Sequence, residues 1–279
     1  MENLNHKLEL LKDFIREKGK DGLVIAFSGG VDSSTLAAVS HEVLGERAVA
    51  VIAQSPTYTS EELSDAKKIA KDIGIRLYVV ETNELENENF SKNPENRCYY
   101  CKKELLQALT NFAHGSGLKV VFEGTNFSDL SEHRPGFQAV KELANVYSPW
   151  AYIKFTKDEI RAVAKKMELS VQDKPSLSCL ASRIPFNERI TIEKLERVGK
   201  AEQTIKKIVG VRQLRVRDHN GLARIEVGKD EKDLLCGLEV QDKINKELKL
   251  LGFKYVTVDL EGYQTGSMLR ILDKSKGPV

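Results

Sequence analysis

Residues 28–34 read Ser28-Gly29-Gly30-Val31-Asp32-Ser33-Ser34, directly after the apolar run 23–27. A strand that runs into a glycine-rich turn and then a helix gathers backbone N–H groups and a positive helix end at one point, which makes an anion site. Gly29 and Gly30 let the backbone approach the anion closely and adopt angles that other residues resist. Ser33 and Ser34 add hydroxyl donors, and Asp32 can cap the helix or hold a cation. The stretch lacks the Gly-Lys-Ser/Thr ending of a Walker A loop and the Gly-x-Gly-x-x-Gly of a dinucleotide fold. A tight turn without a ligand needs fewer glycines and serines than this.

Outward from this loop, strands and helices alternate over residues 22–125. Apolar runs at 23–27, 48–53, 77–80 and 120–122 read as buried strands. Between them, 32–44, 60–73 and 101–113 read as helices. In 60–73 the apolar residues Leu63, Ala66, Ile69, Ala70 and Ile73 recur at helical spacing. This pattern predicts an α/β fold, a doubly wound parallel sheet covered on both faces. Ligands of such sheets bind beyond the carboxyl ends of the strands, so the loops after Phe27, Ala53, Val80 and Phe122 share one rim. Thr156 with Glu159 is a capping box that starts a helix over 156–167, and Thr191 caps a long helix over 191–208. A smaller α+β unit follows. Strands at 213–217 and 222–227 flank the hairpin signal His219-Asn220-Gly221, with a helix at 242–251 and a strand at 255–260. The expected division is 1–190 and 191–279.

The 279 residues carry 43 Lys and Arg against 41 Asp and Glu, a formal net charge of +2. That balance argues against nucleic acid as a partner, because nucleic-acid binders carry a stronger basic bias. No apolar run is long enough to span a membrane, and residues 1–20 are charged throughout, unlike a signal peptide. A cytoplasmic protein is expected. Four cysteines in such a chain point to metal, redox or catalytic use rather than a disulfide framework.

Cys98 and Cys101 form a Cys-x-x-Cys at the mouth of a predicted helix, and Cys179 lies in the loop Lys174-Pro175-Ser176-Leu177-Ser178-Cys179. Cys236, among leucines, reads as a small buried hydrophobe. The other three admit a redox dithiol or persulfide relay, structural zinc, or a [4Fe–4S] cluster with three thiolates and one open iron. A second Cys-x-x-Cys or a His pair at zinc spacing is absent from the sequence.

Ser-Gly-Gly-x-Asp-Ser-Ser resembles the PP-loop of ATP pyrophosphatases, which grips ATP as AMP passes to a substrate oxygen and pyrophosphate leaves. Further segments, in order, are Glu123-Gly124-Thr125-Asn126-Phe127-Ser128-Asp129 running on to Arg134-Pro135-Gly136, then Cys179-Leu180-Ala181-Ser182-Arg183. Arg215-Val216-Arg217 with Ala223-Arg224-Ile225-Glu226-Val227 follow, and then Glu261-Gly262-Tyr263-Gln264-Thr265-Gly266-Ser267. Together they resemble the LarE family of ATP-dependent sulfur transferases. The resemblance implies an adenine nucleotide alpha hydrolase-like fold. It also implies ATP- and Mg²⁺-dependent adenylation of pyridinium-3,5-biscarboxylic acid mononucleotide, with sulfur displacing AMP, for a nickel-pincer cofactor. In one branch of the family a single cysteine, matching Cys179, surrenders its own sulfur. The additional Cys98 and Cys101 look like the three-cysteine branch, with a [4Fe–4S] cluster and an external sulfide or persulfide donor.

By this resemblance Ser28, Gly29, Gly30, Asp32, Ser33 and Ser34 hold the ATP phosphates and Mg²⁺. Gly124, Thr125, Asn126, Asp129 and Arg134 shape the nucleotide site, with a loop ion pair as the alternative for Asp129 and Arg134. Arg215 and Arg217 alternate on a strand and point to one face. Two guanidiniums there suit the phosphate of a mononucleotide, and a solvated strand face is the alternative. Arg183, Glu202 and Glu226 match family positions near that phosphate, while on sequence alone the two glutamates read as surface or salt-bridge residues. Cys98, Cys101, Cys179 and Asp32 are the expected catalytic residues. The small unit is expected to bind the substrate phosphate and to form a homo-oligomer. A PP-loop tRNA thiolase, an ammonia-using synthetase and a non-catalytic ATP sensor with zinc are the competing readings.

Overall fold

The first strand is central because both of its faces are apolar. In the computed structural model, which describes residues 2–131, 135–175, 178–264 and 266–268, Leu23 and Ile25 pack to one side and Val24 to the other. The chain runs α1 (Glu2–Lys18), β1 (Leu23–Ala26), α2 (Val31–Leu44), β2 (Ala48–Gln54), α3 (Ser60–Ile73), β3 (Arg76–Glu81), α4 (Glu88–Ser91), α5 (Arg97–Gly115) and β4 (Val120–Phe122). It continues with α6 (Gly136–Glu142), β5 (Val146–Tyr147), α7 (Pro149–Tyr152), α8 (Lys157–Lys166), α9 (Ile192–Val209), β6 (Leu214–His219), β7 (Leu222–Val227), α10 (Leu238–Leu250) and β8 (Tyr255–Val258).

Two compact units result: Met1–Asn87 with Asn96–Leu177, and Glu88–Glu95 with Ser178–Val279. In the first, five strands lie in the order β3-β2-β1-β4-β5, and every pair is parallel. Leu11, Ile15, Leu36, Val39, Ile160 and Val163, from α1, α2 and α8, cover one face. Leu106, Leu109 and Val140, from α5 and α6, cover the other. Each such leucine buried in full contributes roughly 1.5–3 kcal/mol of transfer free energy. The doubly wound sheet is therefore as the alternation of apolar runs predicts. β5, two residues long, was too short to carry a periodic signal.

The second unit holds a three-stranded sheet in the order β6-β7-β8, antiparallel then parallel. Asn220 (φ 52°) and Gly221 (φ 94°) make the two-residue turn of its hairpin. Its lower sequence bound is Ser178 rather than 191, because Arg183 pairs with Glu202 of α9 at 2.8 Å and brings the Cys179 loop along. The unit also includes residues 88–95. Asn93 Nδ2 donates to the carbonyls of Ile184 (3.2 Å) and Pro185 (2.7 Å), Ile190 N donates to Ser91 O (2.8 Å), and Phe90 is buried. Cys236 corrects the expectation of burial. It is exposed, since Leu235 takes the inward position beside it, and its Sγ lies 3.6 Å from Lys232 O.

Candidate functional site

In a parallel sheet of order β3-β2-β1-β4-β5, the chain leaves β1 toward one side and β4 toward the other. The loops at their carboxyl ends splay apart and leave a crevice. Residues 28–34 follow β1, and Gly124-Thr125-Asn126 follow β4. The structure brings these two predicted segments together. A Cβ on Gly124 would lie 3.3 Å from both Asp32 Cβ and Ser33 N. Asn126 Nδ2 donates to Asp32 Oδ1 at 3.4 Å.

The loop is arranged to receive an anion. Gly29 adopts φ +67°, and a Cβ there would lie 3.0 Å from Ala66 Cα of α3. Ser28 N donates to Ser33 Oγ at 3.1 Å, and the Ser28 and Ser33 hydroxyls lie 3.0 Å apart. No side chain caps α2 at Gly30, so its first-turn N–H groups stay available. Ser34 Oγ is buried without a hydrogen-bond partner among the described residues. Such an orphan costs about 1–3 kcal/mol unless something accepts it, and a phosphate oxygen would. Gly29→Ala is expected to cost more than about 1 kcal/mol, because alanine is strained at positive φ and meets α3. A thermal melt will show it, with weaker nucleotide binding in parallel.

Asp32 sits at the first turn of α2, its carboxyl raised above the ordinary range by burial and pulled back in part by Lys157. Lys157 Nζ donates to Asp32 Oδ2, and Trp150 Nε1 donates to Asp32 O at 3.1 Å. Asn126 and Asp129 exchange backbone-to-side-chain bonds of 3.2 and 3.1 Å, so Asp129 shapes the loop after β4. Arg134 lies outside the described residues.

Glu123, at the end of β4, is fully buried. It accepts from Lys102 Nζ (2.6 Å), Thr125 Oγ1 (2.8 Å), Thr125 N (3.2 Å) and Ser148 Oγ. Burial alone would raise its carboxyl, but Lys102 and the hydroxyls together hold it below the ordinary value. Lys102 follows Cys101 on α5, so this one carboxylate ties the loop after β4 to the helix that carries both Cys98 and Cys101. α5 starts at Arg97, earlier than the pattern predicts, and both thiols fall in its opening turns, three residues apart on one face. Cys98 is exposed and Cys101 half-buried. Tyr99 and Tyr100 pack edge to face at 5.2 Å, and Tyr99 Oη donates to Glu142. Lys102, Glu123 and Lys157 were not among the predicted site residues. The one local signal was a lysine at the first position of a capped helix, where a cation is disfavoured.

The second unit gathers the predicted anion residues. Arg183 makes a two-pronged pair with Glu202 (2.8 and 2.9 Å), and Arg217 does the same with Glu226 (3.0 and 2.8 Å). Both glutamates and both arginines are buried, so the strand face is not the solvated one and the glutamates are not surface groups. Arg183 Nη1 also donates to the carbonyls of Ser178 (2.7 Å) and Cys179 (3.2 Å), and Arg217 Nη1 to that of Ser182 (2.7 Å), which fixes the backbone around Cys179. Arg215 differs. No carboxylate pairs with it among the described residues. It donates to Leu214 O at 2.7 Å and lies over the Tyr263 ring at 5.2 Å. Burial, and then the neighbouring Arg183 guanidinium, pull it below its ordinary value. A buried cation with donors to spare suits a phosphate. Among the described residues no three His, Cys, Asp or Glu side chains are grouped so as to hold a metal ion.

The NAD synthase family model matches residues 3–137. Over 91% of this chain and 91% of the relative, the sequence is 32% identical to the pyridinium-3,5-bisthiocarboxylic acid mononucleotide synthase of Lactiplantibacillus plantarum. The chain belongs to the LarE family. The chain is also 45% identical to an uncharacterized protein of Synechocystis, across 97% of this chain and all of that one. An uncharacterized protein of Methanocaldococcus jannaschii is 35% identical to this chain, across 93% of this chain and 98% of its own. The PP-loop and its parallel sheet make this LarE-family member an ATP-using enzyme. No helix among the described residues is long and apolar enough to cross a membrane.

Proposed function

We propose that this enzyme adenylates a carboxylate of pyridinium-3,5-biscarboxylic acid mononucleotide and replaces the AMP with sulfur, toward a nickel-pincer cofactor. The chief support is kinship along nearly the whole chain with the Lactiplantibacillus synthase. A carboxylate oxygen attacks the α-phosphorus of ATP, and the bond to pyrophosphate breaks. A hydrosulfide equivalent from an external donor then attacks the acyl carbon, the bond to the AMP oxygen breaks, and a thiocarboxylate, AMP and one proton result. Adenylation is needed because a free carboxylate repels a nucleophile and offers no good leaving group.

The residues divide these tasks. Ser28, Gly29, Gly30, Ser33 and Ser34 hold the phosphates, Asp32 holds Mg²⁺, and Gly124, Thr125, Asn126 and Asp129 wall the nucleotide. Arg215, with Arg183 and Arg217 braced by Glu202 and Glu226, holds the substrate phosphate. Cys98, Cys101 and Cys179 are soft sulfur donors, whose chemistry suits an iron–sulfur cluster better than a hard cation. Such a cluster, when bound, supplies an open iron that carries sulfide. Holding the nucleophile beside the acyl-adenylate is the remaining task of the protein.

The test is anaerobic incubation with MgATP, sulfide and the biscarboxylate mononucleotide, followed by pyrophosphate, AMP and product mass. Pyrophosphate release that depends on the biscarboxylate, with a thiocarboxylate product, is expected. Release that ignores the biscarboxylate would overturn the reading. Iron and sulfide analysis of the same preparation is expected to find both, and a colourless, iron-free protein active on sulfide would remove the cluster.

A further inference from the structure

A triphosphate concentrates negative charge on its outer phosphates, and a Walker A loop answers with its own lysine. Residues 28–34 contain no cation. A cation reaches the loop from 125 positions away in the chain: Lys157, the first residue of α8, whose Nζ donates to Asp32 Oδ2. We propose that Lys157 is a phosphate-binding residue of this loop and takes the β- or γ-phosphate of ATP as Asp32 turns to Mg²⁺. The inference rests on the reading of the loop as an ATP site.

Its backbone is firmly placed. Thr156 caps α8, accepting from Glu159 N, and the Glu159 carboxylate accepts from Thr156 N at 2.8 Å. Lys157 N donates to Ser128 Oγ at 3.2 Å, and Phe127 N donates to Phe155 O at 2.8 Å. The start of α8 is thus fastened to the segment after β4 that also carries Asn126. The lysine is badly placed for its own helix. The positive end of a helix dipole disfavours a cation, and the neighbouring Asp158 and Glu159 already meet that end's preference. A residue that opposes its local structure while serving a distant carboxylate marks a functional position.

Charge balance follows from the pairing. Asp32 and Lys157 together form a neutral pair. When Mg²⁺ and a triphosphate enter, Asp32 exchanges the ammonium for Mg²⁺, the ammonium takes a phosphate oxygen, and no buried charge is left alone. A lysine suits this exchange, since its flexible stem and three donors can follow a short displacement. The side chain is 29% exposed, which leaves it that room.

The experiment measures calorimetric binding of α,β-methylene-ATP, pyrophosphate and AMP, each with Mg²⁺, to the full chain, to Lys157→Met and to Lys157→Arg. Loss of one charge-assisted contact predicts affinity for the ATP analogue and pyrophosphate that is roughly tenfold to a hundredfold weaker in Lys157→Met. AMP is expected to hold within about twofold, and Lys157→Arg to recover most of the loss. Equal loss for AMP and the ATP analogue would make Lys157 a structural residue and overturn the proposal. Unchanged binding of the ATP analogue would overturn it too. Failure of the unaltered protein to bind the analogue would instead remove the ATP reading of the loop itself.

Discussion

Lys102→Met is expected to destabilise the protein by about 3–5 kcal/mol, the cost of leaving one partner of a buried ion pair alone. Glu123 is the partner left behind, buried at the end of β4 with the lysine ammonium 2.6 Å away. Its remaining donors, Ser148 and Thr125, are neutral and cannot balance the charge. The first unit should melt on the order of 10 °C lower. Adding Glu123→Gln should restore much of the loss, because an amide keeps hydrogen bonds with both hydroxyls and carries no charge. A shift under about 1 kcal/mol in the single variant would mean that Lys102 does not hold Glu123 in place. The acid dependence has a definite sign. The folded carboxyl lies below its unfolded value of 4.5, so its contribution is fully present above 4.5 and disappears as pH falls through the lower, folded value. Without Lys102 the carboxyl rises, and acid unfolding monitored by fluorescence should begin at a higher pH than in the unaltered protein.

A chain with Cys98, Cys101 and Cys179 all replaced by alanine should lose sulfur transfer by a factor on the order of 10³ or more, the scale seen when a reaction loses its nucleophile. MgATP affinity should hold within about twofold, since these thiols lie outside residues 28–34. Unchanged product with ammonia would point to an amide-forming synthetase and remove the sulfur reading. Intact mass after turnover separates the two sulfur routes. A loss of about 34 Da, the H₂S given up as a cysteine becomes dehydroalanine, would restore sacrificial donation from Cys179.

What could be read in advance depended on how local each signal was. Val120–Phe122 and Leu222–Val227 were legible because a run of apolar or alternating residues is complete in itself. The start of α8 was legible because Thr156 and Glu159 form a capping box within four residues. The Asn220-Gly221 turn was legible because few residue pairs accept two successive positive φ angles. The early start of α5 was not, since Asn96 caps it without a side-chain bond and the first turns are polar. Lys157 and Asp32 stand far apart in sequence, as do Lys102 and Glu123, and only the crossovers of the sheet make them neighbours. Burial of Arg215 and Arg217 escaped for the same kind of reason. A strand of alternating character looks half solvated until the residues that cover its polar face are known.

The annexed segment 88–95 bears on how the protein is made. Synthesis proceeds from the amino terminus. Phe90 and Asn93 therefore leave the ribosome well before Ile184, Pro185 and Ile190, the residues that enclose or bond their segment. An early-born piece must wait, uncommitted, for a late-born unit. A gene fragment that begins at codon 178 would encode a unit lacking one of its own walls, so the second unit cannot be borrowed by simple fusion or expressed whole as a contiguous stretch.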